Sequence, residues 1–313
     1  MAHELETMFY VSNEENQRFK PWHGLGTAVE EAPNSKEALK LAGLDWTVDS
    51  RPIFTDNGIE IPGYRANTRS SDNKVLGIVG NKYKIVQNAE AFEFTDALIG
   101  DNVRYETAGS LYGGKRIWLL AKMPTTTILG DDVEPYLTFT NTHDGTGAIK
   151  VCMTPVRVVC NNTLNIALNG ASRKWSARHM GNIESKLKEA QHTLELAETY
   201  MENLATMADQ YANTKVTDDE VRKVLNTVFE AKETDSDRKK ANMEKAKDEF
   251  IACYFAPDIM KFMGTQWGLI NAAADYVGHT APNRMTENYQ ENNWGRIIEG
   301  HHILDSVVSL LSH

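Results

Sequence analysis

The spacing of apolar residues changes once along this chain, and that change most constrains what the chain can fold into. From Leu44 to about Thr140, apolar and polar residues alternate in short runs separated by turn residues, which is typical of antiparallel strands. After Met153, apolar residues recur every three or four positions, which is typical of amphipathic helices. This order predicts an α+β fold, in which an antiparallel sheet core with packed helices is followed by an α-helical C-terminal region.

The chain is expected to have three segments. Residues 1–43 form an N-terminal arm and a short helix that Asn34 or Ser35 caps, residues 44–180 form the α+β core, and residues 181–313 form the helical C-terminal region. A chain of 313 residues, of which 41% are apolar, can bury a sizeable core.

Turn and capping signals predict where the elements lie. Residues 56–58, Asp-Asn-Gly, indicate the tight turn of a hairpin, and residues 75–79 and 83–86 are expected to form a second pair of strands. Asn88 is expected to cap the helix that follows it. A threonine-proline pair predicts the start of a helix over residues 154–168. The later helices are expected at residues 182–211, 217–229 and 235–255, and around 266–276 and 294–311.

Charge is unevenly distributed along the chain. The net charge is −10, of which residues 1–180 carry −2 and residues 181–313 carry −8. No acidic residue lies between Asp144 and Glu184. Such a stretch repels an anionic ligand least, although a buried helix and loop could equally lack acids. The cations of this stretch are Lys150, Arg157, Arg173, Lys174 and Arg178.

The cations and amides of this region predict a path for nucleic acid. In the predicted helix over residues 154–168, Arg157 and Asn161 share a face and could contact phosphates. Cations on the predicted hairpins would extend the path, and aromatic side chains, including Tyr64, could stack on bases. The alternative is that these charges cover an ordinary solvent-facing surface. The residues assigned to nucleic-acid binding are Arg157, Asn161, Arg173, Lys174, Arg178, Arg65, Arg69, Lys82, Lys84, Tyr83 and Trp175.

The sequence shows no recognisable catalytic or metal-binding motif. Residues 109–115 have the spacing of a phosphate-binding loop, but Arg116 replaces the Ser or Thr that would bind Mg²⁺, which favours a hairpin turn. Cys160, on an apolar helix face, is more often a packing residue than a nucleophile. The nine histidines contain no HExxH pattern. We therefore expect no catalytic residue, metal or cofactor, and a function other than catalysis is favoured.

The N-terminal residues and the cysteines indicate the setting of the protein. No apolar run could cross a bilayer, the first ten residues lack the pattern of a secretory signal, and the three cysteines lack disulfide-scaffold spacing. A cytoplasmic location is expected. Trp22, His23 and Leu25 lie in a loop rich in glycine, and we expect this loop to contact a neighbouring subunit of a homo-oligomer.

Several ordered motifs resemble a known family. They are PWHGLGT at residues 21–27, LGIV at 76–79, YKIVQN at 83–88, PVRVVCNNTL at 155–164 and GTQWG at 264–268. Together they resemble the phage/plasmid-like protein family classed as domain of unknown function 932, of the LGT-motif type. The resemblance covers nearly the whole chain. It implies a mobile-element origin and no particular activity.

The resulting hypothesis is that the protein binds single-stranded DNA as a phage or plasmid accessory protein. ATP-independent annealing during recombination is the activity that this binding would serve, and the predicted order of elements is similar to the plan of strand-annealing proteins. The alternative is a counter-defence protein that binds a host protein or a nucleotide signal. An enzyme without a recognisable motif is a third class.

Overall fold

The computed structural model describes residues 5–12, 27–99, 103–157, 162–163, 174–194, 197–279 and 301–312. The chain forms two compact units. The first unit comprises residues 1–123, 136–153 and 173–196, and the second comprises residues 124–135, 154–172 and 197–313. The change from strands to helices along the chain therefore does not coincide with the division, because the helix over residues 183–194 belongs to the first unit.

Strands and helices follow one another in a mixed order. The strands are β1 (Leu5–Val11), β2 (Thr27–Val29), β3 (Val48–Phe54), β4 (Glu60–Arg69), β5 (Val75–Gly80), β6 (Arg104–Leu111), β7 (Arg116–Lys122), β8 (Thr126–Ile128), β9 (Asp131–Thr142), β10 (Ile149–Arg157), β11 (Asn162–Thr163) and β12 (Lys174–Ala177). The helices are α1 (Ser35–Leu41), α2 (Asn88–Ile99), α3 (Ile183–Leu194), α4 (Ala197–Asn213), α5 (Asp218–Val228), α6 (Asp237–Tyr254), α7 (Gln266–His279) and α8 (His302–Leu311).

The described strands form two sheets. The larger sheet has nine strands in the order β11-β10-β9-β7-β6-β1-β2, with β12 beside β10 and β8 beside β9. The smaller sheet has the order β3-β4-β5, and its pairs are antiparallel. In the larger sheet β6 and β7 are antiparallel, whereas β1 and β2 are parallel. The structure thus confirms the predicted α+β class, with a sheet core, packed helices and a helical C-terminal region.

The core of the first unit lies between its sheets and helices. Phe9, Leu44, Leu76, Tyr105 and Phe139 are fully buried there in one apolar cluster. Burying a side chain of this size contributes about 1.5–3 kcal/mol, so this cluster is a main source of the unit's stability.

The predicted turns and caps are confirmed where residue chemistry is specific. Asn34 caps α1 with a reciprocal capping box, as predicted. The structure also shows a capping box at Thr217, at the start of α5, which was not predicted. Gly58 adopts a φ of 76° in the turn between β3 and β4. The glycine-rich segment between β6 and β7 is a hairpin turn, as predicted, in which Gly113 and Gly114 have positive φ.

The predicted helix over residues 154–168 is wrong where the structure describes it. Residues 154–157 continue β10, and β11 pairs with them, Val156 with Thr163 and Arg157 with Asn162. On the side of β10 that pairs with β11 and β12, Pro155 lies between the two ladders, since β12 pairs only as far as Cys152 and β11 pairs with Val156 and Arg157. Arg157 therefore lies in a strand and not in the predicted helix, and Asn161 lies outside the described residues.

The predicted second strand pair is also wrong. β5 pairs with β4, and residues 83–86 are not in a strand. Asn88 begins α2 but is buried, and its side-chain amide donates to Leu44 O at 2.9 Å instead of capping the helix. The side chain of Asn88 thus forms tertiary hydrogen bonds and not the helix cap that the sequence predicted.

The second unit is built mainly from helices. Phe229, Phe250 and Tyr276 form an aromatic cluster with ring centroids 5.4–6.0 Å apart. Lys261 Nζ donates to Asp131 Oδ1 at 2.5 Å. Among the described residues, no helix combines the length and the apolar character that a bilayer crossing requires.

Two glycines of β5 differ in the space that is available to a side chain. A Cβ at Gly77 would overlap the backbone of Asp144, whereas a Cβ at Gly80 would meet nothing within 4 Å. We expect Gly77→Ala to lower the free energy of unfolding by about 1–3 kcal/mol, since the backbone must move. The matched control Gly80→Ala should change it by less than about 0.5 kcal/mol. Urea denaturation checks both variants, and equal losses would contradict the packing.

Candidate functional site

Two segments that are far apart in sequence meet in the first unit and bring cations together. The N–H of Lys84 donates to the carbonyl of His179 at 2.9 Å, and His179 Nδ1 bonds the carbonyl of Lys84, also at 2.9 Å. Because that carbonyl only accepts, Nδ1 carries the proton. These two bonds hold residues 82–84 beside residues 178–180.

Two stacked aromatic rings also hold residues 82–84 against residues 178–180. The rings of Tyr83 and His179 lie 4.5 Å apart and almost parallel, with an interplanar angle of 13°. The Tyr83 hydroxyl donates to the carbonyl of Thr142. Burial raises the pKa of Tyr83, with a smaller contribution from Asp144, so the phenol stays neutral and keeps its donor.

A short helix adds a fourth cation. Asn182 Oδ1 accepts from the N–H of Ser185 at 3.1 Å at the start of α3. Lys186 Nζ donates to the carbonyl of Arg178 at 3.0 Å. Leu187 packs against the core and so fixes how this helix faces the unit.

Four cations therefore lie along the junction, and we call them the basic strip: Lys82, Lys84, Arg178 and Lys186. The first three side chains are exposed, and Lys186 is half-buried. Burial lowers the pKa of His179, so at neutral pH the positive charge of the strip comes from its lysines and arginine.

The structure brings together three of the residues that the sequence assigned to binding, namely Lys82, Lys84 and Arg178. Sequence reasoning missed Lys186. The available signal was Asn182, which can cap a helix. In a helix that begins there, Lys186 lies one turn after the cap and on the same side, where it reaches Arg178.

Two further predicted cations are turned away from such a surface. Arg69 is buried and forms ion pairs with Glu6 at 2.8 Å and Asp72 at 2.6 Å, so its charge is already neutralised. Arg65 is half-buried, and its guanidinium donates to Ser50 O at 3.0 Å. Arg69 is thereby a structural residue, and its assignment to nucleic acid is corrected.

Two aromatic side chains that were predicted to stack on bases make other contacts in the structure. Trp175 is buried in β12 and packs in the core of the first unit, so it cannot stack on a base. Tyr83 is stacked on His179. Lys174, next to Trp175, is exposed because neighbouring residues of a strand face opposite sides.

Asn161, Arg173, Trp22, His23 and Leu25 lie outside the described residues. Within the described residues, no group of three or more His, Cys, Asp or Glu side chains is arranged to hold a metal ion.

A buried hydrogen-bond network connects the smaller sheet with the rest of the first unit. Asn88 donates to Leu44 O and Trp46 O, so its Oδ1 accepts from His143 Nε2 at 3.0 Å. Asn67 of β4 donates to the carbonyl of His143 at 2.7 Å. We call Asn67, Asn88 and His143 the His143 network. It links β4, α2 and the end of β9.

The burial of His143 predicts how stability depends on pH. Removal of the ring from water lowers its pKa to about 3, with His179 adding to the shift and Asp144 opposing it. The unfolded chain binds this proton with a pKa of about 6.5. The contribution of His143 to the free energy of unfolding should therefore be constant above pH ~6.5 and fall as the pH decreases toward ~3.

The test compares the pH slope in three proteins. His143→Gln keeps an amide donor for Asn88 and removes the titration, so we expect a lower stability at pH ~7.5 but a shallower decline below pH ~6.5. The exposed His302→Gln should leave the slope of the parent protein unchanged. Urea unfolding across this pH range is the measurement, and an undiminished slope in His143→Gln would refute the assignment.

Comparison with known proteins assigns the chain to a family. The family model described as domain of unknown function (DUF932) matches residues 75–296, which include the basic strip and His143. No curated protein and no solved structure gives a significant match. Because the match extends over well over half of the chain, the protein belongs to the DUF932 family.

Proposed function

We propose that this protein binds single-stranded DNA and that the basic strip contacts the phosphates. The observation that carries the proposal is the pairing of Lys84 with His179, because it gathers Lys82, Lys84, Arg178 and Lys186 onto one surface of an acidic protein. Each cation that neutralises a phosphate releases a counterion, which favours binding at low salt.

The overall charge favours a single strand over a duplex. The chain has a net charge of −10, so a rigid and highly charged duplex lying across the strip would also approach acidic surface. A single strand has a lower charge density and a flexible backbone, so it can follow four cations without that repulsion. Annealing fits the same preference, because two strands are held as single strands before they pair.

The hairpin between β6 and β7 is consistent with action without ATP. The segment over residues 109–116 has the spacing of a phosphate-binding loop but forms a hairpin turn and not the start of a helix. A phosphate-binding role for this segment is therefore not part of the proposal.

The proposal predicts a specific change in the salt dependence of binding. The triple variant Lys82→Ala, Lys84→Ala, Arg178→Ala removes three phosphate contacts, each of which contributes roughly 0.7 to the slope of log K against log salt. We expect the slope to fall by about 2 and the affinity for oligothymidylate at low salt to fall roughly tenfold or more. Fluorescence anisotropy with a labelled strand is the measurement.

A matched control separates the strip from net charge. Lys223→Ala, Lys232→Ala, Arg238→Ala also removes two lysines and one arginine, all of them exposed, from the region of α5 and α6. This control should bind as the parent protein does. If both triple variants lose the same affinity for the strand, the effect comes from net charge and not from the basic strip. If the parent protein does not bind the strand at low salt, the proposed function is refuted.

A further inference from the structure

The outer part of the smaller sheet exposes large apolar side chains. Tyr64 is 54% exposed and Ile78 is 61% exposed, although both lie in strands. Contiguous apolar side chains in water usually mark a contact surface, because covering them contributes free energy. The exposed set on β3, β4, β5 and the β3–β4 turn consists of Phe54, Ile59, Ile61, Tyr64, Val75 and Ile78.

The surroundings of Tyr64 are open. In the antiparallel register Tyr64 lies opposite Gly80, and Gly63 precedes it in the chain. A Cβ added at either glycine would meet nothing within 4 Å. No side chain from the opposite position of β5 can therefore cover the ring, and a flat ligand has room beside it.

The face that carries Tyr64 differs from the face that packs inward. Asn67 of β4 is buried and donates to His143, so odd-numbered residues in this part of β4 face the core. Successive residues of a strand face opposite sides, so Tyr64 and Ala66 face outward. Ala66 lies opposite Ile78, two positions along the strand from Tyr64, which puts an exposed apolar side chain on the same face as the ring.

The open ring also lies next to the basic strip. The N–H of Asn81 donates to the carbonyl of Gly63 at 3.0 Å, and Lys82 follows directly. A strand whose phosphates contact Lys82 and Lys84 would bring its bases close to Tyr64. Base faces are paired and stacked in a duplex but accessible in a single strand.

We propose that Tyr64 is a stacking platform for a base of single-stranded nucleic acid, in continuity with the basic strip. The inference rests on the proposed function. It names the side chain that contacts a base, and it explains why unpaired strands are preferred. A symmetric contact with a second copy through the same face is disfavoured, because it would bring Lys82 and Lys84 of both copies together.

The test compares a strand with bases and a strand without them. The ligands are oligothymidylate and an abasic strand of equal length, measured by fluorescence anisotropy at several salt concentrations. The parent protein should prefer oligothymidylate by about tenfold, in the range known for one stacked base. Tyr64→Phe should keep this preference. Tyr64→Ala should lose it while the salt slope stays unchanged, because the phosphate contacts remain.

Filling the open space gives an independent variant. Gly80→Val places a β-branched side chain opposite Tyr64 in a strand whose backbone accommodates it, so the urea midpoint should not fall. The preference for oligothymidylate should fall because the side chain occupies the space beside the ring. Ile59→Ala, at an equally exposed apolar position in the β3–β4 turn, is the control and should leave the preference intact.

The outcomes separate this inference from the proposed function. If the parent protein binds neither strand, the proposed function fails and the platform fails with it. If the parent protein binds both strands equally and Tyr64→Ala does the same, the platform is overturned and phosphate binding by the strip stands. If Tyr64→Ala keeps the base preference but lowers the particle mass in mass photometry, the face contacts protein, and the platform is overturned.

Discussion

The hydrogen bond from His143 to Asn88 holds the first unit in the arrangement on which its other features depend. It is fully buried, and Asn88 also binds the backbone at Leu44 and Trp46, while Asn67 binds the backbone of His143. A buried polar group is costly unless it is paired. The network therefore specifies one position for β4 relative to α2 and the end of β9, and it sets which face of the smaller sheet is turned to water.

The same burial that makes the network specific keeps its histidine neutral. A buried imidazolium would lose its hydration without gaining a compensating partner, and the pKa of His143 is lowered for that reason. His179 is neutral for the same reason, although it lies under the basic strip. The structure thus separates two roles: neutral histidines position the backbone, and the lysines and arginine of the basic strip carry the charge available to a ligand.

Sequence reasoning succeeded where a local rule acts alone. The cap of α1, the Asp-Asn-Gly turn and the β6–β7 hairpin are all determined by nearest neighbours along the chain, and each was predicted. It failed at residues 154–157, where Thr-Pro resembles a helix start but the chain continues as β10. There Val156 and Arg157 pair with Thr163 and Asn162 of β11, and this strand pairing outweighs a weak local preference for a helix.

The sequence by itself determined the class of fold, the positions of most elements and the presence of cations at residues 82, 84 and 178, because periodicity, turn chemistry and charge are local properties. Only the tertiary structure decided which of those cations meet. Arg69 forms buried ion pairs, and Trp175 packs in the core. Lys84 and Arg178 lie close together because His179, about ninety residues further along the chain, forms a hydrogen bond with Lys84. The reason is physical: burial and long-range hydrogen bonding depend on the packed arrangement of the whole unit, and no local pattern encodes them.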